Sequence, residues 1–153
     1  MKNILWVFFI SMLPLIEIRG SIPVGFGLGV PFFECFLVSV IGNMLPVPII
    51  LLFVKKVFAW MKKVPKLAPI AEWFEKRGNS RSDRVTKYAT LGLFLFVGIP
   101  LPGTGAWTGS LIAALMDMKF WYAIVSVFAG VILAGFIMSG ISYGFLGFLS
   151  FLA

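Results

Sequence analysis

From Phe120 to Ala153 the chain carries no Lys, Arg, Asp or Glu. A helix on the surface of a soluble fold needs one wetted face, and an uncharged stretch of this length supplies none. A bilayer core is crossed by about 20 apolar residues, so the stretch calls for a membrane-embedded, all-α fold. Composition agrees: 60% of the residues are hydrophobic and 12% charged, whereas soluble domains carry roughly 25% charge. The length suits one transmembrane domain with no separate soluble module.

The net charge of +7 invites a nucleic-acid reading, but the location of the charge argues against it. Ten of the thirteen Lys and Arg lie between Lys55 and Lys87, beside Glu72, Glu75 and Asp83. A basic segment between two apolar blocks marks a cytoplasmic loop of a multi-pass protein. Its expected partners are membrane lipids, with anionic headgroups against residues 55–87. Leu67, Ile70, Ala71 and Phe74 recur there at helical spacing, which predicts a short amphipathic helix on the membrane surface. Gly78-Asn79-Ser80 ends it, and Ser82 or Asp83 can cap the next helix.

The chain has one Cys and no His, so neither a disulfide framework nor a zinc site is expected. Gly-x-Ser-x-Gly, Walker A and paired-carboxylate patterns are missing. No cofactor is expected, and the chain does not read as an enzyme. The apolar N-terminus lacks a small-x-small processing site and is interrupted by Glu17 and Arg19, against a cleaved signal.

Two apolar runs are too short to cross. Ile4–Ile16 would reach only about 20 Å as a helix, and it ends in Glu17-Ile-Arg-Gly-Ser-Ile-Pro23. The run from Tyr88 to Ile99 stops at Pro100-Leu-Pro-Gly-Thr-Gly105. Each is followed by a short return segment, the second about Ala106–Met116, and then by a full span. The spans are Phe32–Val54 and a long one from Phe120 with a broken or bent end. Aligning the breaks sets Gly20 on Gly103 and Ser21 on Thr104, and Val38-Ser39-Val40 matches Val125-Ser126-Val127. The pattern predicts two inverted repeats, residues 1–54 and 88–153, joined by the basic loop 55–87. Each repeat is a re-entrant helical hairpin plus a transmembrane helix, an architecture found in transporters. Four plain spans with both termini inside fit the charge bias equally well.

Non-helical backbone inside a bilayer is tolerated only against protein or a water-filled cavity, which makes the breaks the candidate site. Ser21 and Thr104 are read as N-caps of returning half-helices, with Pro23 in the first turn of one of them. Free N–H groups at such starts favour an anion. The substrate-binding candidates are Arg19, Gly20, Ser21, Asn43, Gly103, Thr104 and Gly105. Arg19 adds a positive charge suited to phosphate. Glu17 is the proton-coupling candidate: low dielectric and a helix C-terminus favour its neutral form, while Arg19 favours the carboxylate. The opposing reading pairs Glu17 with Arg19 simply to fix the turn. Asn43, with Pro46 and Pro48, either lines the same cavity or makes an interhelical hydrogen bond beside a kink. Asp117 is expected to cap a helix, and Glu34 to reach headgroups at a span end. Gly140-xxx-Gly144 allows close packing, including a homodimer.

Three runs carry a family likeness: Pro14-Leu-Ile-Glu-Ile-Arg-Gly-Ser-Ile-Pro23, Gly42-Asn43-Met-Leu-Pro46-Val-Pro48 and Pro100-Leu-Pro-Gly-Thr-Gly-Ala-Trp-Thr-Gly109. Together they resemble the small multi-drug export protein family over nearly the whole chain. That family is distantly similar to the DedA/VTT membrane proteins, which include lipid scramblases and polyprenyl-phosphate carriers. The resemblance implies two inverted re-entrant hairpins, with Glu17 and Arg19 corresponding in kind to acidic and basic residues needed there. Pro100 and Pro102 stand where a second basic residue would be.

Three functions follow as expectations. The first is a proton-coupled carrier or flippase for an anionic lipid or amphiphile held between the hairpins. The second is a proton-coupled small multidrug exporter, and the third a non-transporting membrane scaffold. The residues favour the first, because Arg19 and two helix N-termini suit an anion.

Overall fold

In a computed structural model, residues 2–64, Pro69 and 83–146 are described. The amphipathic helix expected at 67–74, its Gly-Asn-Ser stop, Ser82 and the end of the last span lie outside the described residues. The described residues are helices joined by short turns, without strands. These are α1 (Lys2–Met12), α2 (Glu17–Gly27), α3 (Phe32–Met44), α4 (Pro46–Met61), α5 (Asp83–Gly98), α6 (Ala106–Leu115) and α7 (Phe120–Ser139). A π-helical stretch, Gly140–Leu146, continues α7.

The first break lies earlier than expected. Pro14 cannot continue α1, and Leu15 and Glu17 take positive φ values of 90° and 50°, so the chain reverses between Leu13 and Ile16. Glu17 therefore opens α2 instead of trailing α1. Ser21 and Pro23 sit inside α2, which corrects the reading of Ser21 as an N-cap. Its hydroxyl instead donates to Ser39 Oγ at 2.8 Å. A proline in a helix interior removes one N–H, and here the break falls at Pro14 while Pro23 is absorbed within α2.

Helices α3 and α4 run on with one intervening residue, Leu45, as a 30-residue apolar segment from Phe32 to Met61. At ~1.5 Å per residue this is about 45 Å, more than a bilayer core of about 30 Å. The second segment long and apolar enough to cross is Phe120–Gly144. Helices α1 and α6 have 11 and 10 residues, about half the core thickness each.

Helix α7 is the hub. It lies along α5 and also meets α2, α3 and α6, burying Ala123, Val127, Val131 and Ala134. Two glycines allow the closest approaches. A Cβ on Gly130 of α7 would stand 2.7 Å from Val97 Cβ and 2.8 Å from the Phe94 carbonyl of α5. A Cβ on Gly42 of α3 would stand 2.7 Å from the Phe8 carbonyl of α1. Each long apolar segment is thus pressed against a neighbouring helix through a residue without a side chain. At the far end of the α1–α2 pair, Asn3 Nδ2 donates to the Leu28 carbonyl at 3.0 Å. The two helices therefore run antiparallel.

Candidate functional site

The turn between α1 and α2 meets the turn between α5 and α6, and charged side chains from the first engage backbone from the second. Gly105 precedes α6 with φ 142° and provides no side-chain cap. The cap comes from 89 residues away in sequence: Glu17 Oε2 accepts from the Ala106 N–H at 3.1 Å. Its other oxygen accepts from the Trp107 N–H at 3.0 Å. A carboxylate on the first N–H groups of a helix meets both unpaired donors and the positive dipole end. Glu17 is only 3% exposed, so these donors take the place of water as its solvation.

Arg19 does the converse at the C-terminal end of α5. Its Nη1 donates to the Thr104 carbonyl. Its Nη2 faces Thr104 Oγ1 at 2.6 Å and the Ile99 carbonyl at 3.2 Å, with the Val97 carbonyl further off at 3.4 Å. A guanidinium suits this end, where helix carbonyls lack donors and the dipole is negative. Thr104 Oγ1 lies 2.9 Å from the Leu101 carbonyl and 3.0 Å from that of Ile99. Its single proton serves one of them while its lone pairs face Arg19. Thr104 is therefore a clamp residue in the turn, not the N-cap expected. Among the described residues Glu17 and Arg19 form no ion pair with each other, since each is committed to the opposite turn.

Trp107 completes the junction and was not foreseen. Its indole Nε1 donates to the Met12 carbonyl at the end of α1, at 3.0 Å. A buried indole N–H needs an acceptor. A Trp just after Gly-Thr-Gly was the one available hint, although nothing local names the acceptor. Gly105 is needed twice over: its φ favours glycine, and a Cβ there would stand 2.0 Å from Glu17 Oε2. Gly103, at φ 82°, makes the turn that aims Thr104. Gly20 lies on α2 against Ile16, where a Cβ would meet Ile16 Cγ2 at 2.2 Å.

The structure thus brings together Glu17, Arg19, Gly103, Thr104 and Gly105, and adds Met12, Ala106 and Trp107. Ser21 is turned to Ser39. Asn43 is fully buried in α3, and neither atom of its amide has a hydrogen-bond partner among the described residues. No hydrogen bond ties it to the junction. The N-cap position of α7 is Lys119, not Asp117 as expected. Asp117 takes φ 48° in the turn after α6, and its N–H donates to the Ala114 carbonyl.

Two helices long and apolar enough to cross a bilayer, packed with a buried carboxylate, fit the class of helical membrane proteins. The family model described as "Putative small multi-drug export protein" matches residues 17–137, from Glu17 through the whole of the second turn, and the chain belongs to that family. No curated protein and no solved structure matches the chain.

Proposed function

We propose that the chain is a multi-pass membrane carrier for an anionic lipid or amphiphile, with Glu17 as the proton-coupling group. In this reading α3–α4 and α7 cross the bilayer, while α1–α2 and α5–α6 are inverted re-entrant hairpins meeting at their tips. The half-core lengths of α1 and α6 support it, as does the antiparallel closure by Asn3 and Leu28. The basic segment 55–87 faces the cytoplasm and its anionic headgroups. Transport involves no covalent chemistry.

The observation that carries the proposal is the carboxylate seated on the N-terminus of α6. The junction solvates an anionic oxygen inside an apolar protein, and here the chain supplies that oxygen itself. Protonated Glu17 would turn one oxygen from acceptor to donor and lose its hold on one N–H. One of the N–H groups of Ala106 and Trp107 then becomes available to a substrate phosphate or carboxylate. Arg19, released from the carbonyls of α5, adds charge-assisted hydrogen bonds. The substrate anion and the Glu17 carboxylate compete for one place, which is what couples proton to cargo.

Reconstituted flux under an imposed pH gradient tests this, comparing fluorescent phosphatidylglycerol, polyprenyl phosphate and a cationic dye. Arg19→Gln is expected to abolish anionic-lipid flux, and Glu17→Gln to remove its pH dependence. Unchanged lipid translocation by both variants would sink the proposal. The family description favours a second reading, export of hydrophobic drugs. That predicts dye efflux lost with Glu17→Gln but kept with Arg19→Gln.

A further inference from the structure

A second polar feature lies far from the junction, at the base of the α1–α2 pair. An open surface cavity of about 380 Å³ is lined by Lys2, Asn3 and Ile4 of α1 together with Gly29, Val30, Pro31 and Glu34. Its volume falls within the roughly 300–1,000 Å³ of small-molecule sites and is more than ten times a water's share of about 30 Å³. Lys2 and Glu34 bring opposite charges to the same cavity, yet among the described residues neither makes an ion pair or hydrogen bond. The walls are fixed from behind: Asn3 is bonded to the Leu28 carbonyl. The Val30 carbonyl accepts from Tyr143 Oη at 2.7 Å. Phe32 and Phe33 are exposed beside it, at the end of the long apolar helix away from the basic segment. Tyr and Trp concentrate at headgroup depth, and Tyr143 is the residue bonded to this wall.

We infer that this cavity seats a zwitterion bearing a primary ammonium and a phosphate, with Glu34 on the ammonium and Lys2 on the phosphate. A cation and an anion that line one cavity without pairing match a ligand whose own charges are separated. A primary ammonium donates up to three hydrogen bonds to a carboxylate, whereas a trimethylammonium donates none. A headgroup with only negative charge meets repulsion from Glu34. The chemistry is that of phosphoethanolamine, supplied either by a lipid or by a free headgroup. The site is independent of the junction and of what the junction carries.

The test is native mass spectrometry of the full chain offered equal amounts of phosphatidylethanolamine, phosphatidylcholine and phosphatidylglycerol. The ethanolamine lipid is expected to be retained about fivefold over the choline lipid, the scale of one charge contact at a membrane surface. Glu34→Gln should erase that preference, while Lys2→Gln should lower retention of both zwitterionic lipids alike. Both side chains are exposed, so the replacements leave the buried packing in place, and an unchanged unfolding midpoint checks this. Equal retention of the three lipids, or a preference that survives Glu34→Gln, overturns the inference. Soluble glycerophosphoethanolamine separates the sources. Displacement of the lipid assigns the seat to the headgroup alone, and a persisting preference without displacement assigns it to the intact lipid.

Discussion

The two short helix pairs meet at their turns but contribute different things. The α1–α2 pair supplies side chains to the junction, the Glu17 carboxylate and the Arg19 guanidinium. The α5–α6 pair answers mostly with backbone: N–H groups of Ala106 and Trp107, and carbonyls of Ile99 and Thr104. Their far ends differ as well. The cavity at the base of the first pair holds Lys2, Asn3 and Glu34. The second pair borders an apolar one of about 200 Å³, lined by Gly92, Leu93, Phe96, Ile112 and Met116 among others. One half holds the charge and the other holds the geometry that charge needs. Altering the first should change chemistry, and altering the second should change shape.

The largest effect is expected in the half that brings no charged side chain to the junction. Gly105→Ala places a methyl group on the Glu17 carboxylate at a positive φ, and should cost on the order of 3–5 kcal/mol in detergent unfolding. A variant that unfolds like the parent would break the comparison, because the turn would then not need its shape. Glu17→Gln comes next. The amide accepts at one atom and turns a donor on a donor, for about 2–3 kcal/mol. It should also loosen the junction, so that a thiol placed by Thr104→Cys reacts faster with a water-soluble maleimide; an unchanged rate would argue against a clasp. Arg19→Lys keeps the charge but loses the fork that reaches several carbonyls, and about 1–2 kcal/mol should go with it. Trp107→Phe removes only the bond to the Met12 carbonyl and should cost about 1 kcal/mol. Stability lost in the order Gly105, Glu17, Arg19, Trp107 would sharpen the division between the halves.

Much of this junction was legible beforehand, and what escaped shares one cause. A Glu and an Arg in an otherwise apolar run, and a Gly-Thr-Gly flanked by prolines, mark two polar turns on any reading. That they belong together follows from the cost of leaving either alone in an apolar interior. Capping rules, however, are local. They offered Ser21 and Thr104 because each stands near a proline or glycine, whereas the cap on α6 comes from Glu17. Pro23 looked like a helix start, but Pro14, followed by two residues at positive φ, took the turn. Periodicity also cannot say that Asn43 is left without a hydrogen-bond partner among the described residues, because that depends on which side chains α1, α2 and α7 turn toward it.

The charges of the junction also have an electrical meaning. Glu17 as carboxylate and Arg19 as guanidinium sum to zero. When the carboxylate takes a proton and a singly charged anion takes its place, the sum is zero again. A membrane potential does about 2.3 kcal/mol of work per elementary charge per 100 mV, and on a cycle between these two states it does none. Carriage through this junction would run on the proton gradient and the cargo gradient, and would be indifferent to voltage.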